Sequence, residues 1–296
     1  MSFEANIVAD SISPSGIRLT TFQLRYPRFI HAELMTHRVF SRNASSSRAI
    51  PVVRMIEDLR RDPAMPVFWG SNQPGMQAGA EVEEPELSGV KTLWERGMYH
   101  AIATAENLIQ MGLHKQIANR ILEPWAHINV VVTATSWENF YTLRRHKDAQ
   151  PEIKVLADLM WDAHQASTPQ LLQPGCWHLP FLENNDIDVA LVIDGEPAYE
   201  KLLKVSVARC ARVSYLTHDG RQTTFEEDLT LYERLLGAQP LHASPAEHQA
   251  TPDVLNTGQE LCQFPPEAGW ERPELHGNFH GWIQYRKTLT GEFIPG

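Results

Sequence analysis

Between residues 11 and 50 the chain carries six arginines, Arg18, Arg25, Arg28, Arg38, Arg42 and Arg48, against one acid, Glu33, and no lysine. A planar guanidinium fork suits phosphate and carboxylate oxygens, so this run points to a small anionic ligand rather than to a merely solvated face. Arg42 and Arg48 stand among hydroxyls in SRNASSSR, residues 41–48, and serine O–H groups are further donors for an oxyanion. A second basic group, Arg144, Arg145 and Lys147, ends a helical stretch, where the helix dipole alone would favour it. Cys176 lies beside Trp177 and His178 in QPGCWHLP. That setting could activate a thiol, but a buried structural cysteine is the preferred reading. His114, His127, His242 and His248 lack metal-ligand spacing, so no metal site is expected.

Several elements must position these residues. Residues 17–26 alternate Phe22, Leu24 and Tyr26 and read as a strand. Pro27 then opens a helix through Phe29, Ile30 and Leu34, which dissolves into a Ser-rich loop closed by Pro51. Residues 62–90, rich in Pro, Gly and acids, read as a surface excursion. Helices are expected at 91–111, then up to Leu122, after a Thr135/Glu138 capping box, and from Pro151. HINVVVT, residues 127–133, reads as a buried strand. A Pro-rich linker, 166–186, leads to a strand near 187–194 and helices at 199–212 and 225–236, the last with a Thr224/Glu227 box and Gly237 at its end. The last 60 residues are irregular.

The 296 residues carry 43% hydrophobic and 21% charged residues, which excludes a disordered tail, a coiled coil or a collagen. The net charge of −10 argues against nucleic-acid or membrane partners. No apolar run spans a bilayer, and the N-terminus is not a signal peptide. Three scattered cysteines fit a reducing cytoplasm.

Three segments, in order, carry a family resemblance. THRVFSRNASSSR (36–48), QIANRILEP (116–124) and NFYTLRRHKDAQPEI (139–153) resemble the signature and two following motifs of the flavin-dependent thymidylate synthases. ARCARVSY (208–215) and HASPAEH (242–248) resemble that family's N-terminal motifs, displaced here behind the signature. FHGWIQYRK (279–287) looks like a second, degenerate start of the signature helix. The chain therefore reads as a circularly permuted or partly duplicated member. Residues 1–165 would be the signature-bearing lobe, and 187–296 would hold the displaced segments packed upon it. The implied fold is α/β (α+β), with a mixed or antiparallel sheet flanked by helices in an intertwined homo-oligomer, a tetramer.

The resemblance implies transfer of a one-carbon unit from methylenetetrahydrofolate to C5 of a deoxypyrimidine monophosphate. His37, Arg38, Val39, Asn139, Leu143, Ser214 and Ser244 would contact FAD. Ser46, Ser47, Arg48 and Arg120 would hold the nucleotide. Arg144 would stabilise charge on the activated ring, meeting Arg48 across a subunit boundary. The departures concern the base. Thr36 and Ala44 stand where the family has Arg and Glu, Asp148 replaces a flavin-contacting His, and Glu33 replaces a Gln. A carboxylate can accept from the N4 amino group of cytosine. Two substrates thus compete: dCMP, hydroxymethylated as in known phage pyrimidine chemistry, and dUMP, methylated to dTMP with electrons from NADPH. A non-catalytic nucleotide-binding homologue is the third reading.

Overall fold

The computed structural model describes residues 3–213, 221–238, 241–256 and 269–292. Five strands, β1 (Glu4–Ile12), β2 (Arg18–Pro27), β3 (Ser41–Ala44), β4 (His127–Ala134) and β5 (Gln170–Leu171), form one mixed sheet in the order β3-β4-β2-β1-β5. Only the β1–β5 pairing is parallel. The sheet is flanked by helices on both faces, which makes the fold α+β.

The alternation of β2 decides which side chain goes where. Phe22, Leu24 and Tyr26 face one side together with Ile128, Val130 and Val132 of β4. Over them lie three helices: α1 (His31–Met35), α5 (Glu138–Arg144) and α6 (Pro151–Ala166). Phe140, Ile153, Leu156 and Met160 complete this core. At the sheet's end α2 (Val52–Arg61), α3 (Glu86–Gln110) and α4 (Lys115–Ala118) make a second core from Met55, Ile56, Met98, Ile102 and Leu122.

The other face is closed by the second half of the chain. Here lie α7 (Asn184–Val192), α8 (Ala198–Arg212) and α9 (Phe225–Leu236). Val131 of β4 packs on Phe181, Cys210 and Val213. Asn43 of β3 donates to the Cys210 carbonyl at 3.3 Å, and Gln23 of β2 donates to the Val213 carbonyl at 3.1 Å. Trp282, fully buried with Leu19 and Phe279, donates its indole N–H to the Ile17 carbonyl at 3.2 Å. Within the second half, Arg209 bridges Asp186 at 2.6 Å and Asp228 at 2.8 Å.

Several sequence expectations need correction. The strand expected near 187–194 is part of α7, because Glu183 and Asp186 form a capping box that starts a helix there. The Thr135/Glu138 box does not form. Trp137, buried in the core, is the N-cap residue, and Glu138 turns back to its amide at 3.1 Å. Residues 41–44 are not loop, since their backbone pairs with β4 as an edge strand. The helix after Pro27 is a single turn followed by the five-residue α1. β1 had not been expected; an irregularity between Ile7 and Ala9 interrupts its register and so masks its alternation.

A buried polar chain crosses the sheet's second face. Ser11 Oγ meets His178 Nδ1 at 2.8 Å, His178 Nε2 meets Thr21 Oγ1 at 2.8 Å, Thr21 meets Thr133 at 2.7 Å, and Thr133 meets His248 Nδ1 at 2.8 Å. Burial pushes both His178 and His248 down to about 3. Both rings are therefore neutral when folded but take up protons below about pH 6.5 when unfolded. Their stabilisation is complete above that pH and is lost as pH falls towards 3, at about 1.4 kcal/mol per pH unit for each ring. Urea midpoints should be flat above pH 7 and fall steeply between pH 6 and 4. His178→Gln should lower the neutral-pH midpoint and flatten the acid slope.

Candidate functional site

The signature residues gather where β2 runs into α1 and returns as β3. Arg42 ties this turn together: its Nη1 donates to the carbonyls of Met35 at 3.0 Å and His37 at 3.1 Å. It thereby satisfies C-terminal carbonyls that a short helix leaves open. Arg144, in the last turn of α5, reaches the same place. Its Nε donates to His37 Nε2 at 2.9 Å, and its Nη2 donates to Thr36 Oγ1 at 3.0 Å and the Glu33 carbonyl at 3.3 Å. Thr36 thus acts as an acceptor for Arg144. His37 is buried against Phe40 and Phe140. Burial, then the Arg144 and Arg42 guanidiniums, push its pKa down, which keeps Nε2 free to accept. Beside this dock, Glu33 Oε2 is buried with no hydrogen-bond partner. Arg38 and Val39 are exposed, as are Asn139 and Leu143 on α5.

A second cluster forms at the loop after β3. Ser47 is buried and donates to Glu123 Oε1 at 2.6 Å, and the same oxygen takes Arg120 at 2.9 Å and Arg28 at 3.1 Å. Ser46 and Arg48 are exposed, with the Arg48 amide on Ser46 Oγ at 3.3 Å. The residue that shapes this loop is Asn119, which sequence reasoning passed over. Fully buried, it donates to the carbonyls of Ser47 at 2.7 Å and Ile50 at 2.9 Å. Its position beside Arg120 in QIANRILEP was the available signal.

The structure thus brings Glu33, His37 and Arg144 together, and separately Ser46, Ser47, Arg48 and Arg120. Among the described residues no hydrogen bond joins the two clusters. Ser244 is exposed at the start of a short turn whose Glu247 approaches Arg42. Ser214 lies outside the described residues. Cys176 is exposed rather than buried. Its neighbour His178 has both ring nitrogens committed to Ser11 and Thr21, so it cannot activate the thiol.

A third feature is a cleft of about 500 Å³ between the signature turn and the C-terminal residues, lined by Arg38, Arg42, Glu247, Gln284, Arg286 and Lys287 among others. Its cations suit a phosphate-bearing ligand, and Phe40 adds an apolar side chain to the lining.

The family model described as "Thymidylate synthase complementing protein" matches residues 13–170, just over half of the chain, and the chain belongs to this family, the flavin-dependent thymidylate synthases. A search of the curated proteins found no match. Among solved structures the chain is similar to a UMP/dUMP methylase, PolB from Streptomyces cacaoi, bound with 5-Br UMP. The identity is 18%, over 55% of this chain and 88% of that one, with a TM-score of 0.47. The same protein bound with 5-Br dUMP is 18% identical over 55% and 90% of the two chains, with a TM-score of 0.45. As a family member the chain is a one-carbon transferase acting on pyrimidine nucleotides. The family uses FAD and methylenetetrahydrofolate. No helix among the described residues is long and apolar enough to cross a membrane.

Asn119→Ala should leave two loop carbonyls without their donor, at about 1–3 kcal/mol for each buried unsatisfied group. Denaturant unfolding should show that loss. Steady-state kinetics should show a raised KM for the nucleotide with little change in kcat.

Proposed function

We propose that the chain transfers a one-carbon unit from methylenetetrahydrofolate to C5 of dCMP, giving 5-hydroxymethyl-dCMP. The observation that carries this reading is the unpartnered, buried Oε2 of Glu33 beside Arg144. A buried carboxylate oxygen without a donor is costly. The N4 amino group of cytosine is a donor that would satisfy it, whereas O4 of uracil would oppose it.

The residues divide the work. Arg144 spends Nε and Nη2 on His37, Thr36 and the Glu33 carbonyl, which fixes the direction of its remaining Nη1. A guanidinium held in this way stabilises the charge that builds on the pyrimidine as C5 becomes nucleophilic. C5 bonds to the methylene carbon, tetrahydrofolate leaves, C5 gives up its proton, and water adds to the exocyclic carbon. The product stays at the oxidation level of the methylene donor. Ser46, Ser47, Arg48 and Arg120 would take the nucleotide phosphate. His37, Arg38, Val39, Asn139, Leu143, Ser214 and Ser244 would hold FAD, and the cationic cleft with Phe40 in its lining fits such a group. FAD, when bound, is a two-electron carrier, which only the methyl product requires.

The family's description favours a second reading, methylation of dUMP to dTMP with NADPH as reductant. In either case the two residue clusters sit apart within one chain, so we read the site as completed between copies in a homotetramer. Residues 187–296 would supply the displaced family segments to residues 1–165. The packing of Cys210 and Val213 on Val131 supports this permuted arrangement.

Incubating the protein and methylenetetrahydrofolate with dCMP or dUMP, followed by mass analysis, separates the readings. Hydroxymethyl-dCMP is expected; dTMP alone would overturn the base assignment. Arg144→Ala should abolish turnover, and retention of near-normal kcat would remove the ring-activating role. Arg48→Ala should weaken nucleotide binding by about 1.5–3 kcal/mol, as for a lost charged hydrogen bond. Glu33→Gln should move kcat/KM towards dUMP by orders of magnitude, because the amide can donate to O4. An unchanged dCMP to dUMP ratio would show that Glu33 does not read the base.

A further inference from the structure

The loop cluster holds two residues to which the family motifs give no role. Arg28 lies outside every motif segment, and Glu123 lies inside QIANRILEP without matching one of its assigned positions. Glu123 Oε1 collects three donors from three parts of the chain: Ser47 Oγ at 2.6 Å, Arg120 Nη1 at 2.9 Å and Arg28 Nη2 at 3.1 Å. Two of the donors are also fixed through the backbone. Asn119 holds the Ser47 carbonyl at 2.7 Å. Pro27, at the end of β2, pairs with His127 at the start of β4, and the Arg28 amide donates to the Ala126 carbonyl at 2.8 Å.

Three donors converging on one anionic oxygen is an arrangement that also suits a phosphate oxygen. The fork of Arg28 is not used up by Glu123. Among the described residues its Nε and Nη1 make no hydrogen bond, and it makes no ion pair other than that with Glu123. The two side chains are 19% and 21% exposed, so a ligand can reach them where water screens little. Arg28, Arg48 and Arg120 against Glu123 leave two positive charges, and a nucleoside monophosphate dianion carries two negative ones. On its other side Arg28 reaches α1: burial, then the Arg28 and Arg42 guanidiniums, push the His31 pKa down. Arg28 therefore lies where the loop cluster faces the helix that carries Glu33.

We infer that Arg28 binds the nucleotide phosphate and that Glu123 positions Arg28, Arg120 and Ser47 for it. The inference deepens the reading of Ser46, Ser47, Arg48 and Arg120 as the phosphate site and rests on it. The competing account is an ion pair that merely ties the turn at Arg28–Ile30 to the one at Asn119–Trp125.

The full chain is titrated calorimetrically with dCMP, dUMP and the phosphate-free deoxycytidine and deoxyuridine. Arg28→Gln should weaken both monophosphates by the same factor, about tenfold or more, and leave both nucleosides unchanged. In kinetics KM should rise with kcat near that of the wild type. Arg28→Lys keeps a charge opposite Glu123, and with it the fold, but offers a point donor in place of the fork. It should show the same selective loss, several-fold in size, and it decides the matter if Arg28→Gln does not fold. Glu123→Ala releases the three donors and should weaken the monophosphates. Glu123→Gln keeps an acceptor oxygen at the same place and should recover most of that loss. Unchanged monophosphate affinity in whichever Arg28 variant folds would overturn the inference, as would losses shared equally by nucleotide and nucleoside, or a Glu123→Gln no better than Glu123→Ala. A wild type that binds monophosphates no more tightly than nucleosides would sink the phosphate reading and the inference together. Tight monophosphate binding with no effect at Arg28 would sink the inference alone.

Discussion

Strands β2 and β4 send Phe22, Leu24, Val130 and Val132 to one side and Thr21, Val131 and Thr133 to the other, and both sides are closed to water. Burying a sheet on both faces forces every backbone group in it to pair and every polar side chain to find a partner. The two threonines find each other and two neutral histidines. Chemistry needs access, and a doubly covered sheet offers it only at its ends. The signature turn, the loop after β3 and the C-terminal cleft all lie at strand ends, each held by hydrogen bonds to backbone carbonyls.

Arg144 shows how such an end becomes specific. A guanidinium donates to an imidazole only while the ring is neutral. His37 is kept neutral by burial and by the two arginines beside it. The same burial leaves Glu33 Oε2 without a donor. Thr36 gives Arg144 a neutral oxygen to hold at this point.

Much of this was legible in the sequence where one residue type repeats with one period. The long α3 and α6 follow from apolar spacing, and the Thr224/Glu227 capping box forms as read. β4 follows from Ile128 and the Val130, Val131, Val132 run. β1 did not, because an irregular register breaks its alternation, and α7 did not, because Ile187, Val189 and Leu191 alternate like a strand while Glu183 and Asp186 cap a helix. At the candidate site, Glu33, His37 and Arg144 stood out through motif order. Asn119 did not, because it works on backbone carbonyls, and an asparagine bound to backbone leaves no mark in a pattern of side chains. The cleft was hidden for another reason: Asn278 and Val39 meet across 239 residues of sequence, and no local periodicity encodes that meeting.

The indole of Trp282 on the Ile17 carbonyl also bears on how the chain is made. Synthesis delivers β1, β2 and β4 early, and the first face can close once α6 has emerged. The second face cannot close fully until Trp282 and Gln284 have been made and have reached Ile17 and Ser41. Until then Leu19, which packs on Phe279 and Trp282, is left on an open sheet, the kind of surface on which nascent chains associate wrongly. The family-matched residues 13–170 are therefore the half that must wait.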